Sequence, residues 1–268
     1  MSSADQDSVA ANVAQWTATN AEFTDGAAER SWNESELKWG VFGIPEFGVL
    51  GDGVFGIPEF GVLGDVAGLD VVELGCGTAY FSAKLARRGA RVVGVDPTPS
   101  QLASARRMQA QTGIEFPLVE APAEAVPLRD ASFDLAFSEY GASLWADPQR
   151  WIAEAARLLR PGGRLVFLTN SMLAHLCTPD SDDDAIANVL VRPLFDQYRT
   201  KWPEYPGIEY HISHGHWIRI LRENGFVLDA LHELRPGDDA QTHHYYYTIP
   251  VEWARRWPGE DLWEAHLR

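Results

Sequence analysis

Cysteine is nearly absent from this chain of 268 residues, in which only Cys76 and Cys177 occur. Two cysteines so far apart do not form the disulfide framework of a small secreted domain. Cys177 and the nearby His175 are too few to build a structural zinc site, so no metal centre is expected. A cytoplasmic location is the default expectation for a chain of this kind.

Long apolar runs are also missing. No stretch approaches the roughly 20 apolar residues that a membrane-spanning helix needs, and we expect no membrane association. The first eight residues, Met-Ser-Ser-Ala-Asp-Gln-Asp-Ser, lack the basic and apolar regions of a signal peptide. The overall balance of 46% hydrophobic and 22% charged residues is that of an ordinary globular protein.

Positively charged residues are also few. The chain has 22 Lys and Arg against 38 Asp and Glu, a formal net charge of −16, and its only lysines are Lys38, Lys84 and Lys201. Such a surface repels a phosphate backbone, so nucleic acid is not an expected partner. The plainest interpretation of the charge is solubility. We expect a monomer or a homodimer.

A short apolar run followed by a glycine turn is the most informative local feature. Residues 71–74 (Val-Val-Glu-Leu) have the composition of a buried strand, Gly75 and Gly77 open a tight turn, and residues 78–88 are typical of a helix. Glycine suits this turn because it accepts positive φ and lets backbone approach a ligand closely. The three pieces form the first half of a nucleotide-binding βαβ unit.

Strands and helices then alternate along the chain. The pattern predicts strands at residues 91–95, 115–119, 133–138 and 164–169, and helices at 101–111 (capped by Ser100) and 149–159 (Asp147 capping, Pro148 first). A helix over 214–224, capped by Ser213, precedes predicted strands at 226–234 and 244–251, antiparallel at the sheet edge. The tail after Glu252 is expected to end in a short helix. Such alternation predicts an α/β fold with helices on both faces of a parallel sheet.

The organisation around this unit is less regular. Residues 1–39, rich in tryptophan, predict a helical N-terminal cap over the sheet edge. Residues 40–52 and 53–65 are identical copies of Gly-Val-Phe-Gly-Ile-Pro-Glu-Phe-Gly-Val-Leu-Gly-Asp, a tandem duplication with the Gly and Pro content of a loop, of which only one copy is expected to pack. Residues 66–268 form the main domain, with a lid-like insertion at about 171–210.

Two cofactors compete for the glycine turn. A dinucleotide-binding turn requires glycine at its first, third and sixth positions, but the sixth position is Tyr80. The missing glycine makes an NAD-dependent oxidoreductase the less favoured alternative. Asp96, at the end of the second strand, suits the ribose hydroxyls of either cofactor.

The motif Glu73-Leu-Gly-Cys-Gly-Thr-Ala79 resembles the acidic-x-Gly-x-Gly-x-Gly motif of class I S-adenosylmethionine-dependent methyltransferases, with Ala79 in place of the third glycine. Residues 119–134 and 158–165 are similar to the family's adenine-side loop and its turn into strand five, so the resemblance to this type 11-like domain covers about residues 69–170. It implies a Rossmann-like, doubly wound, seven-stranded sheet, mostly parallel with the last strand antiparallel. It also implies methyl transfer from S-adenosyl-L-methionine to a small-molecule acceptor; a non-catalytic or regulatory cofactor-binding protein is the alternative.

The resemblance assigns the cofactor to the carboxyl ends of strands one, two and four. The family usually has Asp where this chain has Pro122, which leaves the backbone of Ala123 and the side chain of Glu124 as adenine-side candidates. A general base is needed only for a hydroxyl or protonated amine acceptor; Tyr140 and His214 are candidates, and His211 and His216 lie in the same histidine-rich segment as His214. The predicted cofactor residues are Glu73, Gly75, Cys76, Gly77, Asp96, Pro97, Gln101, Ala123, Glu124 and Ser138.

Overall fold

The computed structural model describes residues 3–46, 61–181, 186–203, 205–246 and 248–268. The described N-terminal part begins with helix α1 (Ser3–Thr19), continues through a π-helical turn (Asn20–Thr24) and ends in helix α2 (Asp25–Asn33). A small antiparallel pair follows, formed by β1 (Lys38–Trp39) and β2 (Ile44–Pro45). None of the helices in the described ranges is long and apolar enough to cross a membrane.

A seven-stranded sheet forms the centre of the molecule. Its strands are β3 (Asp70–Leu74), β4 (Arg91–Asp96), β5 (Leu118–Glu120), β6 (Phe133–Glu139), β7 (Leu159–Asn170), β10 (Phe226–Leu234) and β11 (Glu260–Leu267). They lie in the order β10-β11-β7-β6-β3-β4-β5. Neighbours from β7 to β5 are parallel, and β11 is antiparallel to both β7 and β10. The mostly parallel sheet with its last strand antiparallel is confirmed.

Helices cover both faces of this sheet. They are α3 (Tyr80–Arg87), α4 (Pro99–Thr112), α5 (Gly141–Trp145), α6 (Pro148–Leu158), α7 (Met172–Cys177), α8 (His214–Glu223) and α9 (Val251–Ala254). Alternate residues of β3 point to opposite faces, since Val72 packs with α6 and α8 whereas Val71 packs with α3. The side chains of Asp147 and Ser213 cap α6 and α8 as predicted, by accepting from Gln149 N and His216 N.

The C-terminal region corrects the sequence prediction. The seventh strand is Glu260–Leu267, not residues 244–251, and the short helix α9 comes before it rather than at the end of the chain. Two helices also start differently. Thr98, not Ser100, precedes α4, and α3 begins at Tyr80 after Ala79, which has a left-handed conformation.

Helices α1 and α2 are the helices predicted for the N-terminal segment. They pack on α3 and α4, where the Asp25 carboxylate accepts from Arg107 Nη2 at 2.5 Å and Trp32 Nε1 donates to the Thr78 carbonyl at 2.7 Å. They therefore reach the loops at the carboxyl ends of β3 and β4.

The duplication contributes one packed unit drawn from both copies. Residues 40–46 come from the first copy and residues 61–65 from the second, while residues 47–60 lie outside the described part of the chain. Glu46 joins the two pieces, because its carboxylate accepts from Trp39 Nε1 and from Leu63 N. Phe42, Ile44 and Leu63 are buried.

The insertion at 171–210 contains helix α7 and a short antiparallel pair, β8 (Arg199–Lys201) with β9 (Ile208–Tyr210). The acidic stretch predicted as a solvated loop falls partly on residues 182–184, which lie outside the described residues. α5 and α1 contact β9, so the insertion and the N-terminal helices meet above the same end of the sheet.

Candidate active site

The glycine turn after β3 brings the first two strands of the unit together. Gly75 N and Cys76 N both donate to the Val95 carbonyl, at 2.8 and 2.9 Å. Gly75 has φ 78°, and a Cβ there would lie 2.5 Å from Ala142 N. Its missing side chain therefore accommodates the start of α5 rather than a ligand, while at Gly77 (φ 52°) the nearest atom to a Cβ is Gln101 Oε1 at 3.7 Å.

Asp96 lies at the end of β4, directly beside the turn. Its carboxylate accepts from Gly77 N at 2.9 Å and from Thr98 N at 2.8 Å. Burial raises the pKa of this carboxyl, and the two backbone hydrogen bonds oppose the increase. The Thr98 hydroxyl also bonds to this carboxylate, and the remaining lone-pair capacity of Asp96 is available to a ligand hydroxyl.

Glu73 supports the turn from below. Its carboxylate accepts from Ser82 N at 3.0 Å and from the Ser82 hydroxyl, which ties β3 to α3. Burial, with the negative charge of Glu139 nearby, raises the pKa of Glu73 to about 8. A positively charged group bound nearby would favour the ionised form of this carboxyl.

A cavity of about 1100 Å³ opens above the turn. Nine of the ten predicted cofactor residues line it: Glu73, Gly75, Cys76, Gly77, Asp96, Pro97, Gln101, Ala123 and Glu124. Ser138 does not; it is fully buried, and its hydroxyl donates to the Leu74 carbonyl at 2.7 Å. Tyr140 lines the wall, whereas His214 lies outside it and pairs with Asp261 at 2.8 Å.

The N-terminal segment supplies walls that the motifs did not indicate. Trp16 lies edge-on to Trp145, with ring centroids 5.3 Å apart, and Phe23 stacks on Tyr245 at 4.4 Å. All four aromatic residues line the cavity. For Trp16 and Phe23 the only sequence signal was the tryptophan-rich composition of residues 1–39, which predicted a cap.

Two glutamates, Glu139 and Glu260, hold residues 40–41 against the cavity. Glu139 accepts from Tyr80 Oη at 2.8 Å and from Gly40 N at 3.1 Å. Glu260 accepts from Tyr140 Oη at 2.5 Å and from Val41 N at 2.8 Å. Burial raises the pKa of Glu260 to about 7. No motif marks Glu260, since it lies in a tail predicted to be outside the sheet.

The carboxyls of the cavity suit a positively charged ligand such as S-adenosylmethionine, since the lining Lys38 and Lys84 are both paired with Glu34. Burial raises the pKa of four carboxyls in its wall, those of Glu73, Asp96, Glu124 and Glu139. A ligand with a sulfonium and an ammonium group brings positive charge to such carboxyls and favours their ionised forms. Asp96 and Glu124, on two neighbouring loops, would hold its ribose and adenine sides.

Comparison with known proteins agrees with this geometry. Residues 72–167 match the family model described as a methyltransferase domain. A demethylmenaquinone methyltransferase of Thermus thermophilus is 40% identical over 100 residues, which cover 37% of this chain and 46% of the relative. A malonyl-[acyl-carrier protein] O-methyltransferase of Serratia marcescens is 37% identical over 102 residues, 38% of each protein. The chain thus matches less than half the length of these relatives.

The similarity extends further in three dimensions. The crystal structure of an S-adenosylmethionine-dependent methyltransferase from Mesorhizobium loti superposes with a TM-score of 0.60 at 27% identity, covering 75% of this chain and 92% of that one. The region matched by the family model, residues 72–167, includes the turn, Asp96 and the loop with Ala123 and Glu124. Residues 72–167 thus form a methyltransferase domain, and the surrounding fold is similar to that of an S-adenosylmethionine-dependent methyltransferase.

Proposed function

We propose that this protein transfers a methyl group from S-adenosylmethionine to a small-molecule acceptor. The observation that carries the proposal is that one cavity includes both the glycine turn with Asp96 and the side chains of the insertion, among them Ala174, His175 and Trp202. A cofactor bound beside the turn and an acceptor bound beside the insertion would share one cavity.

The bound cofactor supplies a methyl group already activated by the sulfonium. The chain has to hold the two reactants in line and keep water out. Asp96 would accept from the ribose hydroxyls, and Ala123 and Glu124 would border the adenine. Such positioning can account for on the order of 7–11 kcal/mol of the barrier.

The walls contributed by residues 1–39 and by the insertion at 171–210 support roles as cap and lid. Both segments approach from outside the central sheet and border the same cavity. We propose that they close over the reactants and exclude water. The relatives named above act on demethylmenaquinone and on malonyl-acyl carrier protein, so they suggest no single acceptor for this chain.

Calorimetry with S-adenosylhomocysteine and with NAD is the first test of this function. We expect the protein to bind S-adenosylhomocysteine and not NAD. The reverse result, binding of NAD and not of S-adenosylhomocysteine, would contradict the proposal. Incubation with methyl-labelled cofactor and a panel of phenols, amines and carboxylic acids is the second test. Cofactor binding without labelled product from any acceptor would favour a regulatory, non-catalytic protein.

A further inference from the structure

Two stacked histidines lie in the wall of the cavity contributed by the insertion and its flank. The rings of His175 and His211 are 3.7 Å apart and nearly parallel, at 10°. Both residues are buried, at 3% and 4% exposure, and both line the cavity. The glycine turn and the motifs around it do not involve either residue.

Hydrogen bonds determine which nitrogen of each ring carries the proton. His211 Nε2 lies 2.7 Å from Glu209 Oε2, which also accepts from Trp202 Nε1 at 2.8 Å. A carboxylate can only accept, so His211 Nε2 carries a hydrogen, and in the neutral ring Nδ1 then has the lone pair. His175 Nε2 lies 3.2 Å from Gln197 Oε1, also an acceptor, and His175 Nδ1 is buried without a hydrogen-bond partner.

The arrangement at His211 is that of a general base. Glu209 orients the ring and would stabilise the imidazolium formed when Nδ1 takes a proton. The pKa of His175 is lowered to about 2, mainly by burial and also by His211, so His175 stays neutral and its Nδ1 can only accept a hydrogen bond. An acceptor molecule that hydrogen-bonds to Nδ1 of the neutral His211 ring must therefore bring a donor.

We propose that His175, His211 and Glu209 form the acceptor subsite, that its ligand is a phenolic hydroxyl compound, and that His211 Nδ1 takes the hydroxyl proton. The inference rests on the proposed methyl transfer and assigns its substrate class. As the proton passes to Nδ1, the O–H bond breaks. The electron pair of the O–H bond stays on the oxygen. A lone pair of this oxygen then forms the new bond to the methyl carbon. The methyl–sulfur bond breaks and leaves its pair on the sulfur.

Charge and shape select this class of acceptor. The carboxylate of Glu209 lies against His211 and disfavours an anionic acceptor such as a carboxylic acid at this subsite, whereas the lining Lys38 and Lys84 are both paired with Glu34. Trp145 and Trp202 offer flat apolar surface to an aromatic ring. A phenol has a pKa near 10, about that of tyrosine, so it is not ionised at neutral pH and needs a base.

Nitrogen NMR of the full chain labelled with ¹⁵N-histidine tests this without requiring turnover. The free protein is expected to show His211 with its hydrogen on Nε2, assigned by its loss in His211→Asn. With S-adenosylhomocysteine present, catechol is expected to shift the Nδ1 signal, while 1,2-dimethoxybenzene, which lacks the hydroxyls, is not. A hydrogen on Nδ1, no shift with catechol, or equal shifts with both probes would overturn the inference.

Matched variants separate positioning from general damage. Glu209→Gln is expected to weaken the preference for hydrogen on Nε2, and His232→Asn, which removes a His–Glu pair outside the cavity, should leave the His211 signals unchanged. For a phenol that wild type methylates, His211→Asn should lower kcat/KM by about 100-fold or more with unchanged affinity for S-adenosylhomocysteine; an unchanged rate would contradict the inference. Failure of wild type to bind S-adenosylhomocysteine would refute methyl transfer, while the tautomer measurement would still test the base.

Discussion

Gly75 and Gly68 have nearly the same backbone conformation, with φ 78° and 76°, but very different surroundings. A Cβ on Gly68 would meet nothing within 4 Å, while one on Gly75 would overlap the backbone of Gly141 and Ala142. Gly68→Ala is therefore expected to cost about 1 kcal/mol of unfolding free energy for the positive φ alone. Gly75→Ala should cost about 3 kcal/mol because overlap is added. Urea denaturation measures both, and equal costs would contradict the packing role of Gly75.

Asp96 should decide cofactor affinity. Asp96→Ala removes the acceptor proposed for the ribose hydroxyls, so the Kd for S-adenosylhomocysteine is expected to rise about ten-fold or more, measured by calorimetry. Glu120→Ala is the matched control, because Glu120 is an exposed carboxylate paired in register with Asp96 on the neighbouring strand end. Unchanged affinity in Asp96→Ala would refute the ribose role.

Site residues could be predicted from the sequence when they belong to a local motif, but not when they meet only through the fold. The turn, Asp96, Ala123 and Glu124 were identified from a local motif, and the structure brings them together at the cavity. The His175–His211 pair was not, because its members are 36 positions apart and meet only through the insertion. Ser138 and His214 were assigned by proximity in sequence, but their side chains bond to Leu74 and Asp261 outside the wall.

At the scale of elements, the duplication gives the sharpest expectation. Because the copies are identical, deleting residues 40–52 yields the same chain as deleting residues 47–59. The product keeps the described residues 40–46 and 61–65, and Phe60 then joins Glu46 to Gly61, which are already in contact. We expect a melting temperature equal to or higher than that of wild type, since loop closure becomes easier, and unchanged affinity for S-adenosylhomocysteine.

The contrary outcome is as clear. A lower melting temperature, or loss of S-adenosylhomocysteine binding in the deletion variant, would show that the second copy is needed. Glu46→Ala serves as a reference for real damage to this unit, because it removes the acceptor of both Trp39 Nε1 and Leu63 N. It should destabilise the protein by about 2 kcal/mol through the donors left unpaired.

Elements with regular periodicity were predictable, and the exceptions have physical causes. The strand at Glu260–Leu267 begins with two charged residues, both buried, and so lacks an apolar start. Residues 244–246, His-Tyr-Tyr, have strand-like composition but pack on Phe23 at the cavity. Composition alone does not distinguish aromatics that line a site from aromatics that build a sheet.

At the scale of the whole molecule, buried carboxyls set the pH dependence of stability. The folded pKa values of Glu73 and Glu260 are about 8 and about 7, against 4.5 for a free glutamate. The unfolded chain releases these protons first, so stability is lost as pH rises towards the folded values. The lowered pKa of His175 has the opposite effect, but only below 6.5.

The melting temperature is therefore expected to fall between pH 6.5 and 8.5. Glu73→Gln keeps an acceptor for Ser82 but cannot ionise, so its decline over this range should be shallower than that of wild type. Differential scanning fluorimetry in matched buffers checks both slopes. Parallel curves for wild type and Glu73→Gln would contradict the raised pKa of Glu73.

The position of β11 also has a consequence for synthesis of the protein. The last eight-residue strand lies between β7 and β10, not at an edge of the sheet. A ribosome completes β7 and β10 before β11, so the edges that β11 will pair stay unpaired until residues 260–267 have been synthesised. Any premature stop before Glu260 leaves those edges permanently open, and such products are expected to aggregate rather than accumulate as a smaller folded form.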